Sequence, residues 1–464
     1  MLFSAPLYIE ERHCGYCNDS KTDYFALESK AKLLKDKPHK ETSTKKSITL
    51  GTSIIEMTCQ EYDSLINSGF RRSGDFLYKP DLLRTCCRLY TIRTNKSYLE
   101  ISKKQRKSIN KFIKEICPDE KLLDPIPKNS FNLNRLFEAQ LKSKNFKVKF
   151  EPSKFSKEKY QLYKKYQISV HNDDPQDVSE VGFRRFLCDA PFPKNEIEGE
   201  KEDWVDLDIH NWSKEKPKRI GPTHVCYYLN DKLIAISILD FLPSGISSIY
   251  FIWDTDFAHL SLGVISSINE IVMCEKLGFD WYYLGYYVED CVKMNYKANF
   301  GGEILDVCNE TYYPMKDIKP FLQNGRLFVI GDEDQRGELN CEVNGNVQSK
   351  KLNDEVNVSE LIYGSPETEV EAKKIAHIIS KKYGIKGNNF YKIPNVMPGL
   401  IPLWKIKMWL DEGKISNSYS QNISLSGNDM EYRFDELNSQ GKSIIIDSIR
   451  VFGLERVKNS TIVI

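Results

Sequence analysis

Two pairs of cysteines constrain this chain most: Cys14-Gly15-Tyr16-Cys17 and, sixty-nine residues past Cys17, the adjacent Cys86-Cys87. Four thiolates suit a zinc ion or an iron-sulfur cluster, because soft sulfur satisfies either and deprotonates on binding. A site using all four must draw two distant segments together. The competing reading is a set of buried reduced thiols, and His13 offers a substitute for one sulfur. A disulfide framework is not expected: Met1-Leu2-Phe3-Ser4-Ala5-Pro6 lacks a basic n-region and is followed by Glu10 and Glu11 before an export h-region forms. Cys59, Cys117, Cys188, Cys226, Cys274, Cys291, Cys308 and Cys341 show no partner spacing and are read as core thiols.

Between the cysteine pairs runs Gly69-Phe70-Arg71-Arg72-Ser73-Gly74, followed by Lys79, Arg84, Arg88 and Arg93. Guanidinium forks match a carboxylate or phosphate bidentately, so an anion is the natural ligand. Surface charge is the plainer alternative, but arginines set among Phe70, Phe76, Leu77, Tyr78 and Leu89 are better placed to line a pocket. A second pair stands in Gly182-Phe183-Arg184-Arg185-Phe186.

At 464 residues the chain is long enough for about three domains. Sixty-six Lys and Arg against sixty-five Asp and Glu leave a net charge of +1, so a polyanion must meet a local patch. Residues 101–165 supply one, with eighteen basic residues against seven acidic. There Phe112, Ile113, Ile116, Leu133, Leu136, Phe137 and Leu141 recur at helical spacing, which predicts amphipathic helices with basic outer faces that can follow a phosphate backbone or simply stay solvated. No run is long and apolar enough to span a membrane, and no membrane partner is expected; Asp240 and Pro243 interrupt the greasiest stretch, Leu233 to Gly245.

Residues 224–229, 232–240 and 246–254 read as strands, the first two joined by a tight hairpin at Asn230-Asp231. Val264, Ile265, Ile268, Ile271, Val272 and Leu277 then mark a helix face, and Trp281 to Tyr287 an aromatic strand. Residues 331–360 are polar, 370–383 predict a helix, and the prolines at 394, 398 and 402 predict an irregular stretch around Trp404 and Trp409. The order β-β-β-α-β, with a glycine just before the helix, resembles the GNAT acyltransferases, in which a helix N-terminus holds the donor's anionic tail. Leu262-Gly263-Val264 lacks the fuller Gln/Arg-x-x-Gly-x-Gly/Ala loop that grips coenzyme A, so no coenzyme A is expected.

The cysteine pairs, the Gly69–Gly74 run, Cys86-Cys87-Arg88, Ile249-Tyr250-Phe251-Ile252-Trp253-Asp254, Leu260-Ser261-Leu262-Gly263, Tyr283-Leu284-Gly285-Tyr286-Tyr287-Val288 and Met294-Asn295-Tyr296-Lys297-Ala298 together resemble the eukaryotic arginyl-tRNA:protein transferases. The resemblance implies an α+β fold: a GNAT-like core, with an antiparallel-rich mixed sheet and flanking helices, beside a small N-terminal cysteine-ligated domain. It divides the chain into 1–97, cysteine-rich and recognising the N-degron; 98–165, basic helices contacting tRNA; 166–325, catalytic, with an insertion at about 194–222; and 326–464, an extension packed on the core. It implies an aminoacyltransferase that moves arginine from arginyl-tRNA to proteins beginning with Asp, Glu or oxidised Cys, which a ubiquitin ligase then meets downstream. The expected compartment is the cytoplasm, with the nucleus second. Cys14, Cys17, Cys86 and Cys87 take the positions of the family's ligands for an iron-sulfur cluster or zinc.

For the reaction, Asp254 and Glu289 are the candidate catalytic carboxylates. Arg71, Arg72, Arg184 and Lys297 are candidates for the acceptor's acidic side chain, Asp254, Asp280, Glu289 and Asp290 for the arginyl guanidinium, and His224 and Tyr286 for the lining. Lys103, Lys104, Arg106, Lys107, Lys111 and Gly263 are the expected tRNA contacts. The rival activities are a coenzyme A-dependent acetyltransferase and a non-catalytic reader of N-degrons.

Overall fold

The computed structural model describes every residue except 22–46, 128–129, 194–208, 210–211, 213–218, 332–346, 348, 386–391, 416–419, 426–427 and 464. The predicted meander is there: the strands Gly221–Leu229, Lys232–Phe241 and Gly245–Trp253 pair antiparallel in succession. Asn230 and Asp231 make the first turn with φ of 51° and 57°, the doubly left-handed geometry that matches the twist of a two-residue hairpin.

These strands sit in an eight-stranded sheet, flanked on one side by Phe146–Pro152 and on the other by Trp281–Tyr287, Tyr90–Thr94, Glu303–Asp306 and Thr311–Pro314. The sheet is mixed, its parallel pair being Gly245–Trp253 with Trp281–Tyr287. The helix Leu262–Lys276 crosses between those two strands and buries Ile265, Ile268, Ile271 and Val272.

A second eight-stranded sheet joins the two ends of the chain, since Leu2–Ser4 pairs antiparallel with Ser47–Glu56 and parallel with Thr461–Val463. Its core mixes Phe3, Leu50, Ile54 and Phe70 with Ile445, Ile449 and Phe452 of the helix Ser439–Phe452. Among the described residues the architecture is mixed α and β, with two sheets and flanking helices.

Three expectations about organisation need correction. The strand Tyr90–Thr94 lies before residue 97 yet belongs to the larger sheet. The basic segment 98–165 contains the edge strand Phe146–Pro152 besides its helices Lys103–Ile116, Asn134–Lys142 and Lys157–Tyr166. The stretch around Trp404 and Trp409 is a helix, Leu403–Asp411, capped by Pro402, because Leu403, Ile406 and Leu410 fall on one buried stripe. Most of the insertion expected at 194–222, and Cys341, lie outside the described residues.

Candidate active site

The parallel strands pair only through Gly245 with Trp281, Ile246 with Tyr282 and Ser247 with Tyr283. Beyond these residues they part, and a cleft of about 810 Å³ opens between Ser248–Phe251 on one wall and Leu284–Tyr286 on the other. That size suits a small-molecule or acyl-donor site. Gly285, at φ +80° beside the register shift, makes the divergence possible without strain, since a side-chain-bearing residue rarely holds that conformation.

Strands that separate leave backbone carbonyls without ladder partners. Arg71 donates to Gly285 O at 3.3 Å and Lys297 Nζ to Tyr286 O at 2.6 Å. Both cations are buried and line the cleft with Tyr286, whose ring lies 5.2 Å from the Arg71 guanidinium and whose hydroxyl donates to Gly69 O. Among the described residues no carboxylate forms an ion pair with either cation, and Arg71 Nε is buried without a hydrogen-bond partner. Burial, then the neighbouring Arg71 charge, brings the Lys297 ammonium down to about 7.

Arg72 lines the same cleft but is held differently. Its Nε and NH2 each donate at 2.6 Å to the two oxygens of Asp240, and NH1 reaches the carbonyls of Gly74 and Asp189. Its charge is neutralised inside the protein. Arg84 pairs with Asp81 and Arg93 with Glu303, all four buried, so the alternative that this arginine run is surface charge is overturned.

The proposed acids lie elsewhere. Asp254 is buried past the end of its strand, where it accepts from Lys165 and, at 2.8 Å, from Lys232 and caps the turn at Asp256. Burial pushes its carboxyl up, but the two lysines outweigh that and hold it below the usual carboxylate range. Glu289 accepts from the Tyr287 hydroxyl, Asp290 pairs with Lys21, and Asp280 is exposed; none of the four lines the cleft.

Arg184 stands exposed on the helix Glu180–Leu187, stacked 3.5 Å from the Phe155 ring. His224 is fully buried on the far side of the sheet, bonded to Ser153, Lys159 and Leu187 O, and burial brings its imidazole down to about 3. The carboxylate that does line the cleft is Glu270, on the inner face of the helix Leu262–Lys276, where it accepts from Ser266 Oγ at 2.5 Å and from the Tyr282 hydroxyl. The signal for it in sequence was a lone acid between Ile268 and Ile271 on an apolar face.

Gly15 and Tyr16, inside the first cysteine pair, form part of the cleft wall. The sulfurs of Cys14, Cys17, Cys86 and Cys87 all lie within 4.8 Å of one another, with Cys17 and Cys86 at 3.7 Å. A four-sulfur zinc site with bonds of about 2.3 Å has edges of about 3.8 Å, so the quartet fits one four-coordinate ion. Thiol hydrogen bonds from Cys86 and then Cys87 hold Cys14 far below the usual thiol range, which prepares a thiolate ligand.

At the opposite wall the helix Leu262–Lys276 points its N-terminus into the cleft, with Ser261, Leu262, Gly263 and Val264 lining it. Its first backbone N–H groups have no partner within the helix and favour an anion. Ser261 Oγ accepts from Ser108 Oγ at 3.2 Å, which ties this loop to the helix Lys103–Ile116. That helix starts at a Ser102–Gln105 capping box and buries Ile109, Phe112, Ile113 and Ile116, leaving Lys103, Lys104, Arg106, Lys107 and Lys111 on its exposed face.

Family profiles described as "Arginine-tRNA-protein transferase, N terminus" and "Arginine-tRNA-protein transferase, C terminus" match residues 12–107 and 158–306. The chain is 38% identical to arginyl-tRNA–protein transferase 1 of Saccharomyces cerevisiae, across 97% of this chain and 95% of that protein. It is 34% identical to arginyl-tRNA–protein transferase 1 of Arabidopsis thaliana across 42% of this chain and 30% of that one. An aspartate/glutamate leucyltransferase of Campylobacter jejuni is 26% identical across 62% of this chain and 95% of its own. With near-complete coverage at this identity, the chain belongs to the eukaryotic arginyl-tRNA–protein transferases, enzymes that transfer arginine from arginyl-tRNA to proteins.

Proposed function

We propose that the cleft joins the arginyl ester of tRNA to the α-amino group of proteins beginning with Asp, Glu or oxidised Cys, a mark met downstream by a ubiquitin ligase in the cytoplasm and nucleus. The observation that carries this reading is Arg71: a buried guanidinium on the cleft wall, without an ion-pair partner among the described residues and with Nε free. An acidic first side chain would supply the missing anion. The Campylobacter relative, named for aspartate and glutamate and for a different donor amino acid, supports an acidic acceptor.

The acceptor amine has a free pKa of about 7.7 to 8.0, so roughly a tenth to a fifth is neutral at pH 7. Acceleration then comes mainly from holding amine and ester together, worth up to about 7 to 11 kcal/mol in well-oriented systems. The amine nitrogen bonds the carbonyl carbon, the carbon–oxygen bond to ribose breaks, and the ribose oxygen leaves with a proton. Lys297, with its ammonium brought down to about 7, is matched to take the amine's proton. We read the divergent strands and the helix start at Gly263 as a GNAT-like acyltransferase core, with the helix N-terminus holding the terminal phosphate and the exposed basic helix following the acceptor stem.

The cysteine quartet would hold zinc or an iron-sulfur cluster, whose contribution is structural: it fixes Gly15 and Tyr16 in the wall. Metal, iron and sulfide analysis after anaerobic purification separates the two. For the reaction, purified protein is incubated with labelled arginyl-tRNA and a peptide beginning with Asp; label must appear on the peptide amine. Binding without turnover, or acylation from acetyl-CoA alone, would overturn the reading.

A further inference from the structure

We infer that Glu270 is the receptor for the donor's guanidinium, and so the residue that makes this cleft select arginine; the inference rests on the reading of the cleft as the transfer site. Glu270 is 2% exposed and lines the cleft from the helix Leu262–Lys276. Its carboxylate is held by neutral hydroxyls alone, those of Ser237, Ser266, Tyr282 and Tyr227, and among the described residues no cation pairs with it. Burying an ionised carboxylate with neutral partners alone is costly, and such groups are normally paired. Burial pushes the Glu270 carboxyl up, as expected for a group whose counter-charge is missing.

The surroundings suit a guanidinium rather than an ammonium or an aliphatic chain. The Ser237 hydroxyl, 1% exposed, lines the same recess beside the Glu270 carboxylate, and its oxygen offers a further acceptor for an N–H. Ser266 adds a third oxygen, so the several donors of a planar fork find several acceptors. Phe251 and Tyr296 also line the cleft and give the apolar and π surface on which a delocalised cation rests.

The charge arrangement assigns the two substrates to different ends. Arg71 and Lys297 stand at the end of the strand Trp281–Tyr287, beside Gly285 and Tyr286, while Glu270 meets Tyr282 near that strand's start. Tyr282 and Tyr286 pair with Thr94 and Thr91, three residues apart on the neighbouring strand, so the two positions are about 10 Å apart. A donor guanidinium at Glu270 and an acceptor carboxylate at Arg71 are therefore kept apart, and each end repels the other substrate's charge.

The test charges one tRNA with either arginine or citrulline, its neutral near-isostere, and measures single-turnover transfer to an Asp-starting peptide. The native enzyme should prefer arginine by roughly ten- to a hundredfold, the range for a charge-assisted hydrogen bond. Glu270→Gln, which keeps the shape and, with one of the two hydroxyls turned to accept, the contacts to Ser266 and Tyr282, should bring that ratio close to one while the preference for Asp- over Asn-starting peptides is retained. Glu270→Asp should recover part of the donor preference. An unchanged ratio in Glu270→Gln would overturn the inference. Should the variant fail to fold, competition by arginyl- and citrullinyl-adenosine against the native enzyme decides instead, and equal inhibition overturns it. Arg71→Gln is run beside it: loss of acceptor preference there with normal donor preference in Glu270→Gln removes the Glu270 assignment alone, whereas no effect in either variant removes the reading of the cleft.

Discussion

Arg72 and Asp240 meet through two parallel hydrogen bonds of 2.6 Å, both side chains buried, and so lock the short arginine-bearing strand Arg71–Ser73 onto the central meander. Removing one partner of such a pair leaves an uncompensated buried charge, a loss of about 3 to 5 kcal/mol. Arg72→Ala and Asp240→Ala should each lower stability by that order in urea unfolding, and the double substitution should cost less than the sum of the two. Additive losses would show that the pair is not coupled.

Arg71 behaves differently because its charge faces the cleft unpaired. Arg71→Gln should reduce kcat/KM for Asp-starting peptides by about ten- to a hundredfold and leave use of arginyl-tRNA intact, while the lost donations to Phe70 O and Gly285 O should also lower the unfolding midpoint. Equal losses with Asp- and Asn-starting peptides would remove the carboxylate contact.

Lys297 sets a pH dependence of definite sign. With its ammonium brought down to about 7, the neutral amine that accepts a proton gains population as pH rises, so kcat should climb between about pH 6 and 8. Lys297→Arg stays charged throughout; its profile should lose the step near 7 and keep only that of the acceptor amine, at about 7.7 to 8.0. A step near 7 that survives the substitution belongs to another group.

The basic helix makes a salt prediction. If Lys103, Lys104, Lys107 and Lys111 each neutralise one phosphate, replacing all four by Gln should flatten the slope of log affinity for tRNA against log salt by roughly three to four. Peptide KM should not change. Their side chains are exposed, so the fold should tolerate the change.

Legibility followed locality. The hairpin at Asn230-Asp231, the basic amphipathic helix and the cysteine quartet carry their signal in a few neighbouring residues or in one spacing, and the structure forms the first two and gathers the third. Glu270 and Asp240 were each visible as an acid inside an apolar run, at Ile268–Val272 and Leu233–Gly245, yet their partners come from segments 12 and 168 residues away. Asp254 and Glu289 stand at strand ends, and no local pattern foretells that Lys165 and Lys232 occupy the first or that the Tyr287 hydroxyl turns to the second. The helix Leu403–Asp411 was obscured by the prolines before it, because Pro402 serves as its cap rather than as a breaker.

The ladder of Leu2–Ser4 with Thr461–Val463 has a bearing on biosynthesis. The strand Leu2–Ser4 cannot gain this neighbour until residues 461–463, more than 450 positions further along the chain, have been made, so a long delay separates its synthesis from its completion. Nascent chains that lack residues 461–463 leave one edge of Leu2–Ser4 open, an unpaired strand edge of the kind prone to wrong pairing.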